Sequence, residues 1–300
     1  MTAVTLQNVA AGYDDGFSIA VNTAIPQNSI TGIIGPNGSG KTTLLRTISR
    51  SLTVKSGAVI INDTPLSAID QRSLARIIAV VSQEVSAESI SVRDFVLLGR
   101  MPHMKPMQFF ETARDRAIAE RYMKLTGVDC HAEHYLSAMS GGERQLASIA
   151  RALAQEPSIL LLDEPTSHLD ITHQVKLLDR IRRLKRELNL TIIMTIHDLN
   201  LASEYCDNLV LMKGGRVIAE GEPSSVLTYQ TVEAVYDTVV IVKENPISKK
   251  PYVFVVPGDE DARIAYEKNP QTGSSLDFPL DKAGIGDTPP LRKKNNKGVI

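Results

Sequence analysis

The stretch GPNGSGKT, Gly35 to Thr42, matches G-x-x-x-x-G-K-[ST], and Thr43 follows it. The apolar run SITGIIG (Ser29–Gly35) leads into it and a helical pattern leaves it. A buried strand must therefore hand over to a helix through a glycine-rich bend. Glycines let backbone N–H groups turn inward with no Cβ in the way. The helix N-terminus adds roughly half a positive charge. A bend of this kind cradles phosphate groups.

Three more short apolar runs follow: RIIAVVSQ (Arg76–Gln83), SILLLDEP (Ser158–Pro165) and LTIIMTIHD (Leu190–Asp198). None alternates cleanly. That suits strands buried on both faces of a parallel sheet, or else buried helix segments; their shortness and abrupt polar ends favour strands. The four runs end at the glycine loop, Gln83, Asp163-Glu164 and His197. Ligands of open α/β sheets bind beyond the carboxyl ends of the strands, so four distant segments can bring their chemistry to one edge. Residues 91 to 155 read as mostly helix, with a break at RMPHMKPM (Arg100–Met107) and a helix over Phe109–Val128. Asn208–Pro223 reads as a hairpin, and Thr238–Pro257 as two strands around an Asn-Pro turn. From Gly258 on, few apolar residues are present, and a loose tail is expected.

The loop implies a nucleoside triphosphate with magnesium. Gly35, Pro36, Asn37, Gly38, Ser39 and Gly40 would form the cradle, and Lys41 would reach the β- and γ-phosphates. The Thr42 hydroxyl would ligate Mg²⁺, and Asp163, ending ILLL, would supply the carboxylate opposite. Neighbouring residues at a strand end point different ways. Glu164 can thus face an attacking water as general base while Asp163 faces the metal.

A second glycine-rich opening, MSGGERQ, begins at Met139. Ser140 with Glu143 three residues on forms a capping box, which is enough to start a helix. Two consecutive glycines are costly in chain entropy, however, and make sense where something approaches the backbone closely. Ser140, Gly141 and Gly142 at a helix N-terminus suit a phosphate. Spacing alone is compatible with one shared ligand or with two.

The order of Gly35–Thr43, Gln83, Ser140–Gln145, Asp163-Glu164, SHLD (Ser167–Asp170) and His197 resembles the ATP-binding cassette (ABC) family, over about Val4 to Pro257. The resemblance implies an α/β fold. Its P-loop NTPase (RecA-like) core has a mostly parallel sheet, an N-terminal antiparallel β part and an inserted α-helical subdomain. The core would span about 1–90 and 156–235, the helical subdomain about 91–155 and the last strands 238–257, with 258–300 a flexible tail. It also implies two chains paired head to tail, each glycine loop facing the other chain's signature, with ATP between. On that reading Tyr13 stacks on adenine, and Gln83 senses Mg²⁺ and the attacking water. His197 contacts the γ-phosphate and holds the water near Glu164, and Asp170 bridges the two cassettes. Met139 and Glu143 depart from the usual Leu-Ser-Gly-Gly-Gln signature, but the serine and glycines remain.

LLGRMPH (Leu97–His103), SHLDITHQ (Ser167–Gln174) and VKENPISKKPYVFVVP (Val242–Pro257) resemble importer ATPases for iron–siderophore complexes, haem and vitamin B12. That subgroup implies a homodimer beneath two integral-membrane permease subunits, fed by an extracytoplasmic substrate-binding protein. It also implies a peripheral place on the cytoplasmic face of the membrane. The alternative is a soluble ABC ATPase acting on DNA or ribosomes. Against it, Ser140 follows Thr43 without a heptad run between, and the chain has one glycine loop of the first kind. A net charge of −1 gives no global basic field, so no nucleic-acid partner is expected. Cys130 and Cys206 form no CxxC pair, which fits a reducing compartment. The opening MTAVTLQNVAAGY lacks a signal peptide's basic and apolar regions, and no apolar run reaches the ~18 residues of a spanning helix. His103 and His173 belong to no ligand-spaced cluster and read as packing or surface residues.

Overall fold

Strands without apolar alternation need a packed layer on each side, and the computed structural model supplies two. It describes residues 1–13, 16–82, 89–167 and 169–256. The chain opens with strands β1 (Thr2–Gly12), β2 (Ser18–Pro26) and β3 (Ile30–Ile34), then helix α1 (Lys41–Ile48). Next come β4 (Val54–Ile61), β5 (Thr64–Pro65), α2 (Gln71–Ile77) and β6 (Ile78–Val81). The helices α3 (Val92–Leu97), α4 (Ala113–Thr126) and α5 (Gly141–Leu153) follow in succession. Then β7 (Ile159–Leu162), α6 (Ile171–Leu188), β8 (Thr191–Thr195) and α7 (Leu199–Tyr205) alternate. The last elements are β9 (Asn208–Lys213), β10 (Arg216–Gly221), α8 (Pro223–Val226), α9 (Tyr229–Tyr236), β11 (Val240–Glu244) and β12 (Pro251–Val255).

One sheet has the order β5-β4-β1-β2-β10-β9-β3-β8-β7-β6. The four runs singled out in the sequence are its contiguous parallel block β3-β8-β7-β6. Every residue of β3, β7 and β8 is buried. On β7, Leu160 and Leu162 join a core shared with the helices α3 to α7, while Ile159 and Leu161 join one shared with α1, β1 and β2. Successive side chains point to opposite faces, so a strand between two cores is apolar throughout. The N-terminal strands β1, β2, β4 and β5 pair antiparallel; β10 joins β2 through the single parallel pair Arg216↔Ala20 and reaches the block through β9, which pairs with β3. This is the mixed α/β architecture expected.

Two boundaries differ from the sequence reading. The helix expected from Phe109 starts at Ala113, because Thr112 and Asp115 close a capping box: the Asp115 N–H donates to the Thr112 hydroxyl (3.2 Å) and the Thr112 N–H to the Asp115 carboxylate (3.0 Å). It stops at Gly127, whose φ of 77° ends the helix. Within the run Arg76–Gln83 the strand begins only at Ile78, since Arg76 and Ile77 finish α2. The break at Arg100–Met107 is a 3₁₀ segment, Leu98–His103. There the buried Arg100 donates to Asp115 (3.0 Å), Glu156 (2.9 Å) and the Ala154 carbonyl (2.6 Å). β11 and β12 form the expected hairpin. Asn200 on α7 holds it, accepting from the Val253 N–H (2.7 Å) and donating to the Val253 carbonyl (3.1 Å). The tail expected from Gly258 lies outside the described residues.

Candidate active site

The carboxyl ends of β3, β7 and β8 meet on one edge of the block. Leaving β3, Gly35 has φ 146°, and a Cβ there would lie 2.2 Å from the Met212 carbonyl oxygen. Gly40, at φ 102°, precedes the first residue of α1, and its Cβ would lie 2.6 Å from Ile19. Only glycine suits both places. Lys41 folds back over the bend and donates from Nζ to the carbonyls of Gly35 (2.9 Å) and Pro36 (3.1 Å). Burial pushes its ammonium below the ordinary lysine value, with Glu164 and Asp163 acting against the shift. The Ser39 hydroxyl is buried without a hydrogen-bond partner. A cavity of about 270 Å³ is lined by Phe17, Asn37, Gly38, Lys41, Thr42 and Glu164, among others.

Thr42, second residue of α1, donates to Asp163 Oδ1 (3.2 Å). A hydroxyl and a carboxylate so placed form an oxygen-only donor set, the kind a hard divalent cation takes. Together with the unpartnered Ser39 hydroxyl, these residues fit a magnesium–nucleotide ligand. Glu164 has the left-handed φ of 49°. Its Oε1 lies 2.5 Å from His197 Nε2, just beyond β8. Thr195 Oγ1 donates to Asp163 Oδ1 (2.8 Å) and accepts from the Glu164 N–H (2.7 Å).

The second opening is built separately. Ser140 caps α5, donating from N (2.8 Å) and Oγ (2.7 Å) to the Glu143 carboxylate. The Ser140 hydroxyl and amide, then His131 and His134, hold the Glu143 carboxyl below its usual value against burial, which acts to raise it. Apart from its chain neighbours and the backbone of its own helix turn, nothing stands within 4 Å of where a Gly141 side chain would begin, so the backbone there is open to approach. A cavity of about 450 Å³, lined by Ser140, Gly142, Glu143, His173 and Lys176 among others, opens against α6. None of its lining residues lines the first cavity.

The structure thus brings Lys41, Thr42, Asp163, Glu164 and His197 together at one edge. Ser140, Gly141 and Gly142 lie in the separate opening. Asp170 caps α6, accepting from the His173 N–H (2.9 Å), with its carboxylate paired to the His173 ring (2.8 Å). Gln83 lies outside the described residues. Tyr13 does not line the first cavity; its hydroxyl accepts from Arg46 (2.9 Å). Sequence reasoning missed Phe17 and Thr195. The signal for Thr195 was a polar residue directly after the apolar run IIM (Ile192–Met194). His103 bonds the Gln155 carbonyl (2.8 Å), a packing role. Among the described residues no group of three or more His, Cys, Asp or Glu side chains could hold a metal.

Comparison with known proteins points to one family. The family model described as ABC transporter matches residues 20–167. The ABC transporter ATP-binding protein YvrA of Bacillus subtilis is 38% identical over 89% of this chain, which spans only 62% of that protein's length. The ferric enterobactin transport ATP-binding protein FepC of Escherichia coli is 36% identical over 82% of this chain and 92% of its own length. A solved inward-facing ABC transporter of metal-chelate type matches with a TM-score of 0.75 at 25% identity, over 87% of this chain and 99% of that one. A relative this similar, matched along nearly its whole length, makes the chain a member of the ABC transporter ATP-binding family.

Proposed function

We propose that this chain is the ATP-hydrolysing subunit of an importer for an iron–siderophore complex or a related metal chelate, haem and cobalamin included. It works as a head-to-tail homodimer. The observation that carries the dimer is the pair of separate openings, α1 and α5, whose cavities share no lining residue. Each chain offers two halves of different sites. Ser140, Gly141 and Gly142 of one chain cover the γ-phosphate held by Gly35–Thr43 of the other, and Asp170 bridges the two.

Within a site, Lys41 exchanges its loop carbonyls for phosphate oxygens, and the α1 N-terminus adds its dipole. Thr42 and Asp163 would hold Mg²⁺, with Gln83 as the further ligand that the family resemblance implies, and the ion would supply charge neutralisation at the phosphates. Glu164 accepts the proton of the attacking water, and His197 orients that carboxylate through Nε2. The β1–β2 turn supplies the aromatic face for adenine, from Phe17 and Tyr13.

Helical residues 91–155 form the subdomain that meets two integral-membrane permease subunits. Met101, Met107, Phe109 and Phe110, 62% to 86% exposed, give it an apolar surface suited to such a partner. No helix among the described residues is long and apolar enough to cross a membrane. On this reading the permease holds the chain at the cytoplasmic face. An extracytoplasmic substrate-binding protein delivers the chelate, and no nucleic acid takes part. The test is purification of the tagged chain from detergent-solubilised membranes, with partners identified by mass spectrometry. A stoichiometric multi-helix permease is expected; ribosomes or DNA-repair factors in its place overturn the importer reading.

A further inference from the structure

One buried hydroxyl ties together the two acidic residues of the site. Thr195, the last residue of β8, has no exposed surface. Its single proton goes to Asp163 Oδ1 at 2.8 Å, the same oxygen that accepts from Thr42 at 3.2 Å. Its lone pair takes the Glu164 N–H at 2.7 Å. Thr195 therefore grips the side chain of one acidic residue and the backbone of the next.

The backbone at Glu164 needs such a grip. A non-glycine residue in the left-handed region persists where its surroundings over-determine it. Here both flanking peptide groups are held: Thr195 takes the amide, while the Ser167 N–H (3.1 Å) and hydroxyl (2.9 Å) donate to the carbonyl. His197, two residues beyond Thr195, takes the side chain at 2.5 Å. One short length of chain thus fixes Glu164 at both ends, Thr195 at the amide and His197 at the carboxylate. Valine would fill the same β-branched space in β8 and make neither bond, so strand packing does not account for the hydroxyl.

We infer that Thr195 is a positioning residue for ATP hydrolysis. Its hydroxyl sets the Asp163 oxygen toward the magnesium side and locks the Glu164 backbone so that the carboxylate meets the attacking water. This rests on the roles proposed above for Asp163 and Glu164.

The test compares the full chain carrying Thr195→Val, Thr195→Ser or Glu164→Gln with the native protein. Turnover is measured against ATP and against Mg²⁺, and the affinity for a fluorescent ATP analogue is measured with and without Mg²⁺. For Thr195→Val, kcat should fall about tenfold or more, the equivalent of one lost hydrogen bond to a charged group. KM for ATP should stay within about twofold, below the tenfold that 1.4 kcal/mol produces. The Mg²⁺ concentration that half-saturates nucleotide binding should rise several-fold, while affinity without Mg²⁺ is unchanged. Thr195→Ser should restore both properties. A Thr195→Val protein with native kcat and native Mg²⁺ requirement overturns the inference, as does a folded Thr195→Ser protein no better than Thr195→Val. Glu164→Gln separates the two readings: turnover surviving there removes the base assignment, and the Mg²⁺ dependence of binding still decides Thr195.

Discussion

His197 Nε2 lies 2.5 Å from Glu164 Oε1, although the two residues come from different strand ends, beyond β8 and β7. The contact turns a carboxylate at the cavity wall into one with a fixed direction. Replacing Glu164 by Gln should lower kcat by about 10²–10⁴, the usual contribution of a positioned general base, with ATP affinity retained. His197→Ala should lower kcat with little change in ATP affinity. Steady-state phosphate release and equilibrium nucleotide binding check both.

Lys41 spends its charge on the Gly35 and Pro36 carbonyls, ready for exchange. Lys41→Ala should weaken ATP binding by about tenfold or more, since a hydrogen bond to a charged group is worth ~1.5–3 kcal/mol. Titration with a fluorescent ATP analogue measures the loss directly.

Gly35 has no room for a methyl group and a φ that side-chain-bearing residues rarely adopt. Gly35→Ala should cost about 1–3 kcal/mol from backbone strain alone, with the 2.2 Å approach to the Met212 carbonyl adding to it. A lowered midpoint in thermal or urea denaturation, together with weaker ATP binding, is the expected result.

The buried Arg100–Asp115 pair gives a pH signature. Burial acts to raise the Asp115 carboxyl, but Thr112 and Arg100 outweigh it and hold the carboxyl below its usual value. A depressed folded-state pKa stabilises the protein above the unfolded value, about 3.9, and the contribution is lost as pH falls through the folded value. Asp115→Asn should cost ~3 kcal/mol near neutral pH, the lower end for breaking a buried pair. The gap to the native protein should close below about pH 4. Urea denaturation of both proteins across that range tests the sign.

Much of this was legible because burial on two sides leaves a plain trace: β3, β7 and β8 have no polar face to hide. The glycine loop was legible for a steric reason, visible at Gly35 and Gly40. The start of α4 was not, because Phe109 and Phe110 look like helix-face residues while Thr112 and Asp115 quietly set the cap. Thr195 was hidden for a different reason. Threonine is a good strand former, so its hydroxyl drew no notice until three-dimensional proximity put Asp163 and Glu164 beside it. Phe17 entered the cavity in the same way, through the pairing of β1 with β2.

The separation of the two glycine-opened helices has a kinetic consequence. If each hydrolytic site takes α1 from one chain and α5 from another, a lone chain is no enzyme. In dilute solution the rate should rise with the square of protein concentration, flattening to first order once pairing saturates. A permease that gathers two chains side by side would abolish that curvature by raising their effective concentration. The bare chain would then idle when released, so that ATP is consumed mainly where there is a membrane gate to move.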